Sequence, residues 1–215
     1  MQLYSYWRST SSYRIRIALA LKRLEYEYIS VNLNNGEQHD PAYRKIHSDG
    51  QVPSLVDGET IIHQTAGIVE YLEEVYPDPS LFPENAAGRA RVRGFILACV
   101  AEMQGRTGRR VRDYLLERYG MDDLKEWYGH WAVRNLELLE KLVAGHPDTG
   151  KFFHGDQPGA ADCFLVPALY NLRLRETNLD QAPTLVRIEQ NCLTHPAFKA
   201  AAPENQIDVA PDTRY

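Results

Sequence analysis

Four hydroxyl side chains in succession, Ser9 to Ser12, mark the stretch where this chain could do chemistry. A short run with Tyr4 and Tyr6 precedes them and is typical of a β-strand, while apolar residues recur at helical spacing after them. A hydroxyl at such a place caps a helix, whose first N–H groups and partial positive charge stabilise an anion such as a thiolate. Taken alone, the stretch also fits an ordinary capped helix, because Ser and Thr are common caps.

A second concentration of reactive side chains lies between Glu102 and Asp113, where four arginines occur in a net acidic chain. They are Arg106, Arg109, Arg110 and Arg112. If one helix runs through this stretch, Arg106 shares a face with Arg109 or Arg110, and such a pair can clamp a dicarboxylate. The alternative is a solvated helix face on which the arginines pair with Glu102 and Asp113.

The composition bounds the class of protein. With 215 residues, 44% of them hydrophobic and 25% charged, the chain is typical of a globular protein with one large or two small domains. Its net charge of −5 argues against general binding to nucleic acid or to anionic membranes. We expect a cytoplasmic protein, since no apolar run has the length of a membrane span and no secretory leader is evident. Its three cysteines and seven histidines lack metal-ligand spacing, so no metal is expected.

The elements that must position the hydroxyls alternate along the first third of the chain. The pattern predicts a strand before them, a helix after them, and a second strand over 26–33, parallel to the first. A short helix over 42–46 follows, then two brief strands joined by the Asp57-Gly58 turn and a helix over 65–76. A proline-rich stretch over 77–83 ends this part.

From Asn85 on, the periodicity is helical throughout. Helices are predicted over 86–119, 122–143, 160–176, 184–192 and 196–201. The chain is therefore predicted to hold an α/β domain over residues 1–79 and an all-helical domain over residues 86–215.

This order of elements resembles that of the cytosolic glutathione transferases, which join a thioredoxin-like domain to an all-α domain. The motifs resemble the zeta class, and within it the maleylpyruvate and maleylacetoacetate isomerases, over essentially the whole chain. The opening Tyr6-Trp-Arg-Ser9 and the run Ser9-Thr-Ser-Ser-Tyr-Arg-Ile-Arg16 match the signature of the class, without its cysteine. Further matches are Gln51-Val-Pro53, His63-Gln-Thr65, Glu70-Tyr-Leu-Glu-Glu74 and Ala161-Asp-Cys-Phe-Leu-Val-Pro167.

The resemblance implies glutathione as the cofactor. Ser9 would lie near its sulfur, with Thr10 and Ser11 at the same helix entrance, so that hydroxyl and N–H donors favour the thiolate. The remaining implied contacts of glutathione are Gln38, Gln51, Val52, Pro53, Gln64, Thr65 and Gln104. In the family, the proline at the position of Pro53 is cis, and the residues matching Gln64 and Thr65 hold the γ-glutamyl carboxylate.

The implied substrate is a small dicarboxylate, bound by Arg8, Arg109 and Arg110. The implied reaction is the cis–trans isomerisation of a maleyl double bond conjugated to a keto group, by reversible addition of the glutathione thiolate. Such a reaction belongs to the catabolism of aromatic compounds, including aromatic amino acids, and needs no protein nucleophile or metal. The family also implies a homodimer.

Departures from the family pattern fall mostly in the second half. Gly105 replaces a proline and is predicted to loosen the backbone, Leu174 stands where the family has a substrate-facing arginine, and Gly159 replaces a helix-capping threonine. Two alternatives therefore stay open. One is a zeta-like transferase that acts on other small electrophiles or α-halo acids; the other is a noncatalytic binding protein with this fold, against which the retained Ser9 argues.

Overall fold

The strands of the first third form one four-stranded sheet in a computed structural model that describes residues 1–209. In chain order they are β1 (Gln2–Ser5), β2 (Glu27–Ser30), β3 (Ser54–Asp57) and β4 (Thr60–Ile62). Their spatial order is β2-β1-β3-β4, with β1 parallel to β2 and antiparallel to β3. The predicted β-α-β unit and the hairpin at Asp57-Gly58 are both confirmed, and Gly58 adopts the positive φ of +59° that its turn requires.

The helices of this part are α1 (Thr10–Leu21), α2 (Pro41–Ile46) and α3 (Thr65–Val75), with a 3-10 turn at Glu37–His39. α1 is buried on nearly all sides, and its burial extends to two arginines, Arg14 and Arg16. A guanidinium is rarely buried unless its donors are satisfied, so these two residues must take part in fixed polar contacts.

The regular elements in the rest of the described chain are all helices or helical turns. The elements are α4 (Ala86–Leu97), a π-helical segment (Ala98–Gln104), α5 (Gly105–Thr107), α6 (Arg109–Tyr119), α7 (Met121–Val143), α8 (Ala160–Arg173), α9 (Pro183–Thr194), α10 (Pro196–Ala201) and a 3-10 turn (Pro203–Asn205). The predicted fold class, a thioredoxin-like α/β part followed by helices, is confirmed. The single helix predicted over 86–119 is wrong, because that stretch is interrupted twice.

Both interruptions have local causes. In the π-helical segment, the N–H of Gly105 donates to the carbonyl oxygen of Val100, a bond that a proline at position 105 would lack. Gly105 itself is helical, and the backbone leaves the helix at Gly108, whose ψ is 163°. A Cβ at Gly108 would lie only 2.9 Å from the carbonyl oxygen of Gln104, so this close approach needs a glycine.

The chain divides into two compact units. The first contains Met1–Leu81 and the described residues from Leu193 to Val209, and the second contains Phe82–Cys192. Within the first unit, α10 packs against α1, and Arg16 Nε donates to the carbonyl oxygen of Ala201 at 2.9 Å. The domain bounds 1–79 and 86–215 stay a prediction about folding units.

No helix among residues 1–209 is long and apolar enough to cross a membrane. In the same part of the chain, no group of three His, Cys, Asp or Glu side chains is placed to hold a metal ion. Cys99, Cys163 and Cys192 are buried and not disulfide-bonded.

A buried ion pair joins the end of α1 to α3. Lys22 Nζ lies 2.9 Å from Glu73 Oε2 and donates to the carbonyl oxygens of Tyr76 and Pro79 at 2.7 and 3.0 Å. Glu73 also accepts from the backbone N–H of Leu81 at 3.0 Å. Burial alone would raise the pKa of Glu73, but these donors outweigh it and hold the pKa below its ordinary value.

We predict that Glu73→Gln lowers the free energy of unfolding by about 2–4 kcal/mol at neutral pH, because Lys22 would stay buried without its counter-ion. A carboxylate with a lowered folded-state pKa stabilises above its unfolded pKa of about 4.3, and that stabilisation is lost as the pH falls through the folded value. The difference between the wild type and the variant should therefore shrink in acid. Urea unfolding at several pH values measures this difference in the free energy of unfolding. Glu74→Gln, at an exposed neighbouring position, is the control. A constant difference down to the acid limit would contradict the role of the pair.

Candidate active site

The loop between β1 and α1 ends at Ser9, which caps α1. Its Oγ accepts from the N–H of Ser12 at 3.2 Å, and its carbonyl oxygen accepts from the N–H of Tyr13 at 2.9 Å. Because the hydroxyl oxygen acts as the acceptor in the cap, its own hydrogen remains available to a ligand. Ser9, Thr10 and Ser11 are half-buried, so this helix entrance is open to a small molecule.

Packing holds this loop against the rest of the first unit. Tyr6 and Trp7 are buried in one apolar cluster with Val31, Tyr43 and Val52. The cluster brings the loop that leads to Ser9 together with the segment around Val52, two parts of the predicted cofactor site. Arg8 lies with its guanidinium 5.7 Å from the centre of the Trp7 ring, within cation–π range.

The segment Gln51-Val52-Pro53 has a cis peptide bond before Pro53, as expected. The phenol of Tyr43 donates to the carbonyl oxygen of Gln51 and lies 3.2 Å from Ser54 Oγ. Burial raises the pKa of Tyr43 to about 12, so the phenol stays protonated and remains a donor. The buried hydroxyl of Tyr43 thus fixes the backbone beside Val52. Sequence reasoning missed this role of Tyr43, because nothing about a tyrosine in a short helix indicates it.

The N-terminus of α3 is the second helix entrance of the first unit. Gln64 has φ +62°, a strained value for a residue other than glycine. The next residue, Thr65, is buried, and its Oγ1 accepts from Arg14 Nη1 at 3.4 Å. A buried guanidinium adds positive charge to the N–H groups of this helix end, which suits a carboxylate. Sequence reasoning missed Arg14 as a site residue, although an arginine within the apolar run of α1 was a usable signal.

Gln38 lies in the 3-10 turn and is 8% exposed. Its Nε2 is 3.1 Å from His39 Nε2, while its buried Oε1 has no hydrogen-bond partner among the described residues. Gly50 packs closely against it, since a Cβ at Gly50 would lie 2.4 Å from the carbonyl oxygen of Gln38. A buried amide oxygen without a donor is unfavourable, so a ligand N–H would be stabilised here.

In the second unit, Arg109 and Arg110 open α6 and are exposed. The first turn of α6 contains no acidic residue, so its positive side chains face the positive end of the helix dipole. Arg109 Nε is 3.6 Å from Asp113 Oδ2, while Arg112 holds the same carboxylate at 2.7 Å. Asp113 thus partly compensates the charge of this turn, and an anion bound at the helix N-terminus would be stabilised further.

Arg106 does not share a helix face with these residues, because the chain leaves the helix at Gly108. Its guanidinium pairs with Glu102 and stacks 4.4 Å from the centre of the Trp131 ring. The predicted clamp that includes Arg106 is therefore not formed. Gln104 lies half-buried at the end of the π-helical segment.

Leu174 directly follows α8 and is partly exposed. Its neighbours are both engaged: Arg173 pairs with Glu189, and the Arg175 guanidinium lies 3.7 Å from the centre of the Tyr128 ring. Both flanking arginines therefore already have partners within the second unit.

Comparison with known proteins adds the family context. Residues 1–74 match the family described as "Glutathione S-transferase, N-terminal domain", and residues 132–190 match "Glutathione S-transferase, C-terminal domain". A maleylacetoacetate isomerase of Pseudomonas aeruginosa is 42% identical over 214 residues, covering 97% of this chain and 99% of the relative. A maleylpyruvate isomerase of Ralstonia sp is 36% identical and covers 98% and 100%.

Solved structures agree with these relatives. The holo structure of a maleylpyruvate isomerase, described as a bacterial glutathione S-transferase of the zeta class, superposes with a TM-score of 0.94 at 36% identity, covering 98% of this chain and 100% of that one. A maleylacetoacetate isomerase from Anaeromyxobacter dehalogenans, solved with glutathione in its active site, gives a TM-score of 0.87 at 40% identity and covers 96% of each chain.

The charge at the start of α6 yields a prediction. Arg109→Gln combined with Arg110→Gln should raise the free energy of unfolding of the ligand-free protein by about 0.3–1 kcal/mol, because removing like charge from the positive end of the helix outweighs the loss of the exposed pair between Arg109 and Asp113. The double variant should also lose the stabilisation that an added dicarboxylate such as succinate gives the wild type. Thermal unfolding with and without succinate measures both effects.

The matched control is Arg118→Gln, in the last turn of the same helix, where a positive charge is favourable. This variant should be slightly less stable than the wild type and keep its response to succinate. If the substitutions at the two ends of α6 changed the unfolding temperature in the same direction and by the same amount, the argument from the helix dipole would be contradicted.

Proposed function

Because the chain belongs to the zeta class of the glutathione S-transferase family, we propose that it is a glutathione-dependent cis–trans isomerase of a maleyl keto-dicarboxylate. Maleylacetoacetate and maleylpyruvate are the two candidate substrates. The observation that carries the proposal is the placement of Ser9: it caps α1 with its O–H unused, directly after Arg8, a cation suited to a carboxylate.

The residues of the first unit fit glutathione. Ser9, with Thr10 and Ser11 at the same entrance, would hold the sulfur. Gln64 and Thr65, supported by the buried Arg14, would hold the γ-glutamyl carboxylate at the N-terminus of α3. When bound, glutathione supplies a thiolate that adds reversibly to the conjugated double bond and so permits its rotation.

The other contacts follow from the backbone and from buried amides. The main chain of Gln51 and Val52, fixed by Tyr43 and adjoining the cis bond before Pro53, would pair with the cysteinyl part. Gln38, with its unsatisfied buried oxygen, would accept an N–H of the peptide. The family resemblance adds Gln104 as a further proposed contact.

Thiol activation would come from Ser9. A hydroxyl that donates to sulfur, together with the N–H groups and the dipole of α1, stabilises the thiolate relative to the thiol and lowers its pKa. The protein then needs no general base at this position, because the proton is lost to solvent before the reaction begins.

The family resemblance assigns the carboxylates of the substrate to Arg8, Arg109 and Arg110. Arginine suits this task because its planar guanidinium can donate two parallel hydrogen bonds to one carboxylate. The absence of an acidic residue from the first turn of α6 supports the assignment, since a carboxylate bound at a helix N-terminus is stabilised by the helix dipole.

The assembly and setting belong to the same proposal. We propose a cytoplasmic homodimer that acts in the catabolism of aromatic compounds, including aromatic amino acids. The family is usually dimeric, and the three buried cysteines without a disulfide suit a reducing compartment.

We predict that Ser9→Ala raises the pKa of the thiol of bound glutathione by about one unit and lowers turnover at neutral pH by roughly 10-fold, because one donor to sulfur is lost. Titration of the ultraviolet thiolate absorbance of the binary complex measures the pKa. Ser9→Thr, which keeps both the cap and the hydroxyl, is the control and should stay close to the wild type. A thiol pKa unchanged in Ser9→Ala would remove Ser9 from the proposed role.

The direct test of the function is an assay of maleylacetoacetate and maleylpyruvate side by side, with and without glutathione. We expect conversion of at least one to its fumaryl product, with strict dependence on glutathione. Turnover of neither substrate, in a protein that binds glutathione tightly, would reject the isomerase and favour a zeta-like transferase for other electrophiles or α-halo acids. Absence of glutathione binding would favour a noncatalytic protein of this fold.

A further inference from the structure

A carboxylate near the end of the described chain binds the loop that leads to Ser9. Asp208 Oδ2 accepts from the backbone N–H of Trp7 at 3.1 Å and from Ser30 Oγ at 3.0 Å, and its Oδ1 accepts from the phenol of Tyr28 at 2.7 Å. Asp208 and Trp7 are 201 positions apart in the sequence, so no local pattern accounts for this contact.

Polar contacts, not apolar packing, hold residues 206–208 in place. Gln206 is buried, and its Nε2 donates to the carbonyl oxygens of Ala200 and Ala202 at 3.0 and 2.8 Å. Ile207, by contrast, is 81% exposed. Val209, on the other side of Asp208, is also among the exposed apolar residues, so apolar burial does not explain where Asp208 lies. The hydrogen bonds of its carboxylate do.

The peptide groups of Trp7 are fixed from both sides. Its N–H donates to Asp208, while its carbonyl oxygen accepts from Arg16 Nη2 at 3.0 Å. One residue before, the carbonyl oxygen of Tyr6 accepts from the N–H of Ser9 at 3.0 Å and closes the turn. With both polar groups of Trp7 held, the direction in which the chain continues to Arg8 and Ser9 is determined.

We propose that Asp208 is a positioning residue for thiol activation, acting through the N–H of Trp7 on the placement of Ser9. The inference rests on the proposed role of Ser9. The other proposed contacts of glutathione, at Thr65 and Val52, lie on separate elements, so loss of Asp208 should leave most of the binding energy intact. Loss of Asp208 should instead impair the stabilisation of the glutathione thiolate, which depends on where the Ser9 hydroxyl points.

The test uses the full chain with Asp208→Ala and Asp208→Asn. We expect Asp208→Ala to lower kcat by roughly 10-fold or more and to raise the pKa of the thiol of bound glutathione, while the KM for glutathione changes by less than about threefold. Asp208→Asn keeps one acceptor oxygen, so its values should lie between those of the wild type and Asp208→Ala. Glu204→Gln, an exposed carboxylate four positions earlier, is the matched control and should match the wild type.

A second comparison separates positioning from simple stability. Ser30→Ala and Tyr28→Phe each remove another donor to Asp208 but leave the bond from Trp7, so both should keep the thiol pKa of the wild type even where they lower the unfolding temperature. If Asp208→Ala fails to fold, Asp208→Asn decides. A variant at position 208 that folds less stably yet keeps both kcat and thiol pKa would overturn the inference.

The titration also separates this inference from the proposed function. If the wild type isomerises neither maleyl substrate but binds glutathione as a thiolate, the proposed function fails while the thiol pKa of the Asp208 variants still tests the positioning role. If the wild type is active and the thiol pKa is the same with and without Asp208, the positioning role fails alone.

Discussion

The buried guanidinium of Arg16 is the constraint on which the first unit depends. A charge inside a protein is strongly unfavourable unless hydrogen bonds replace its lost water, and Arg16 is 1% exposed. Its donors reach the carbonyl oxygens of Tyr6, Trp7 and Ala201. Two of these belong to the loop that leads to α1 and the third to the last residue of α10. Satisfying one charge therefore fixes the entrance of α1 and holds α10 against it.

Both proposed anion sites use helix N-termini, but they differ in how firmly the protein holds them. In the first unit, Thr65 and Arg14 are buried and hydrogen-bonded to each other at the start of α3. In the second unit, Arg109 and Arg110 are exposed at the start of α6. A buried, connected donor set keeps its geometry before a ligand arrives, whereas exposed arginines lose side-chain entropy on binding. The first arrangement suits one fixed cofactor, and the second can adapt to related substrates.

The parts of the fold that were predictable from the sequence are those with local causes. The strand–helix–strand alternation, the Asp57-Gly58 turn and the cap at Ser9 are encoded within a few residues of where they occur. The break at Gly108 was missed because helical periodicity continues on both sides of it, and the reason for the glycine is contact with the carbonyl oxygen of Gln104. With the break missed, Arg106 was placed on a face that it does not share with Arg109.

The site residues that sequence reasoning missed act through contacts between different elements of the fold. Tyr43 fixes the carbonyl of Gln51, Arg14 reaches Thr65, and Asp208 reaches Trp7 across 201 positions. None of these pairs has a spacing that periodicity or turn chemistry can reveal. Arg14 and Arg16 gave the one available hint, since a charged residue in an apolar helical run must have a buried partner.

One departure from the family pattern, Gly105, has a local physical explanation in the backbone. Gly105 was expected to loosen the chain, yet its N–H donates to the carbonyl oxygen of Val100 and so completes the π-helical segment. A proline there could not make this bond. This difference from the family lies just before Arg106 and Arg109, and it is outside the elements that carry Ser9 and Thr65. Divergence confined in this way can shift the choice of substrate while the means of activating the thiol stays the same.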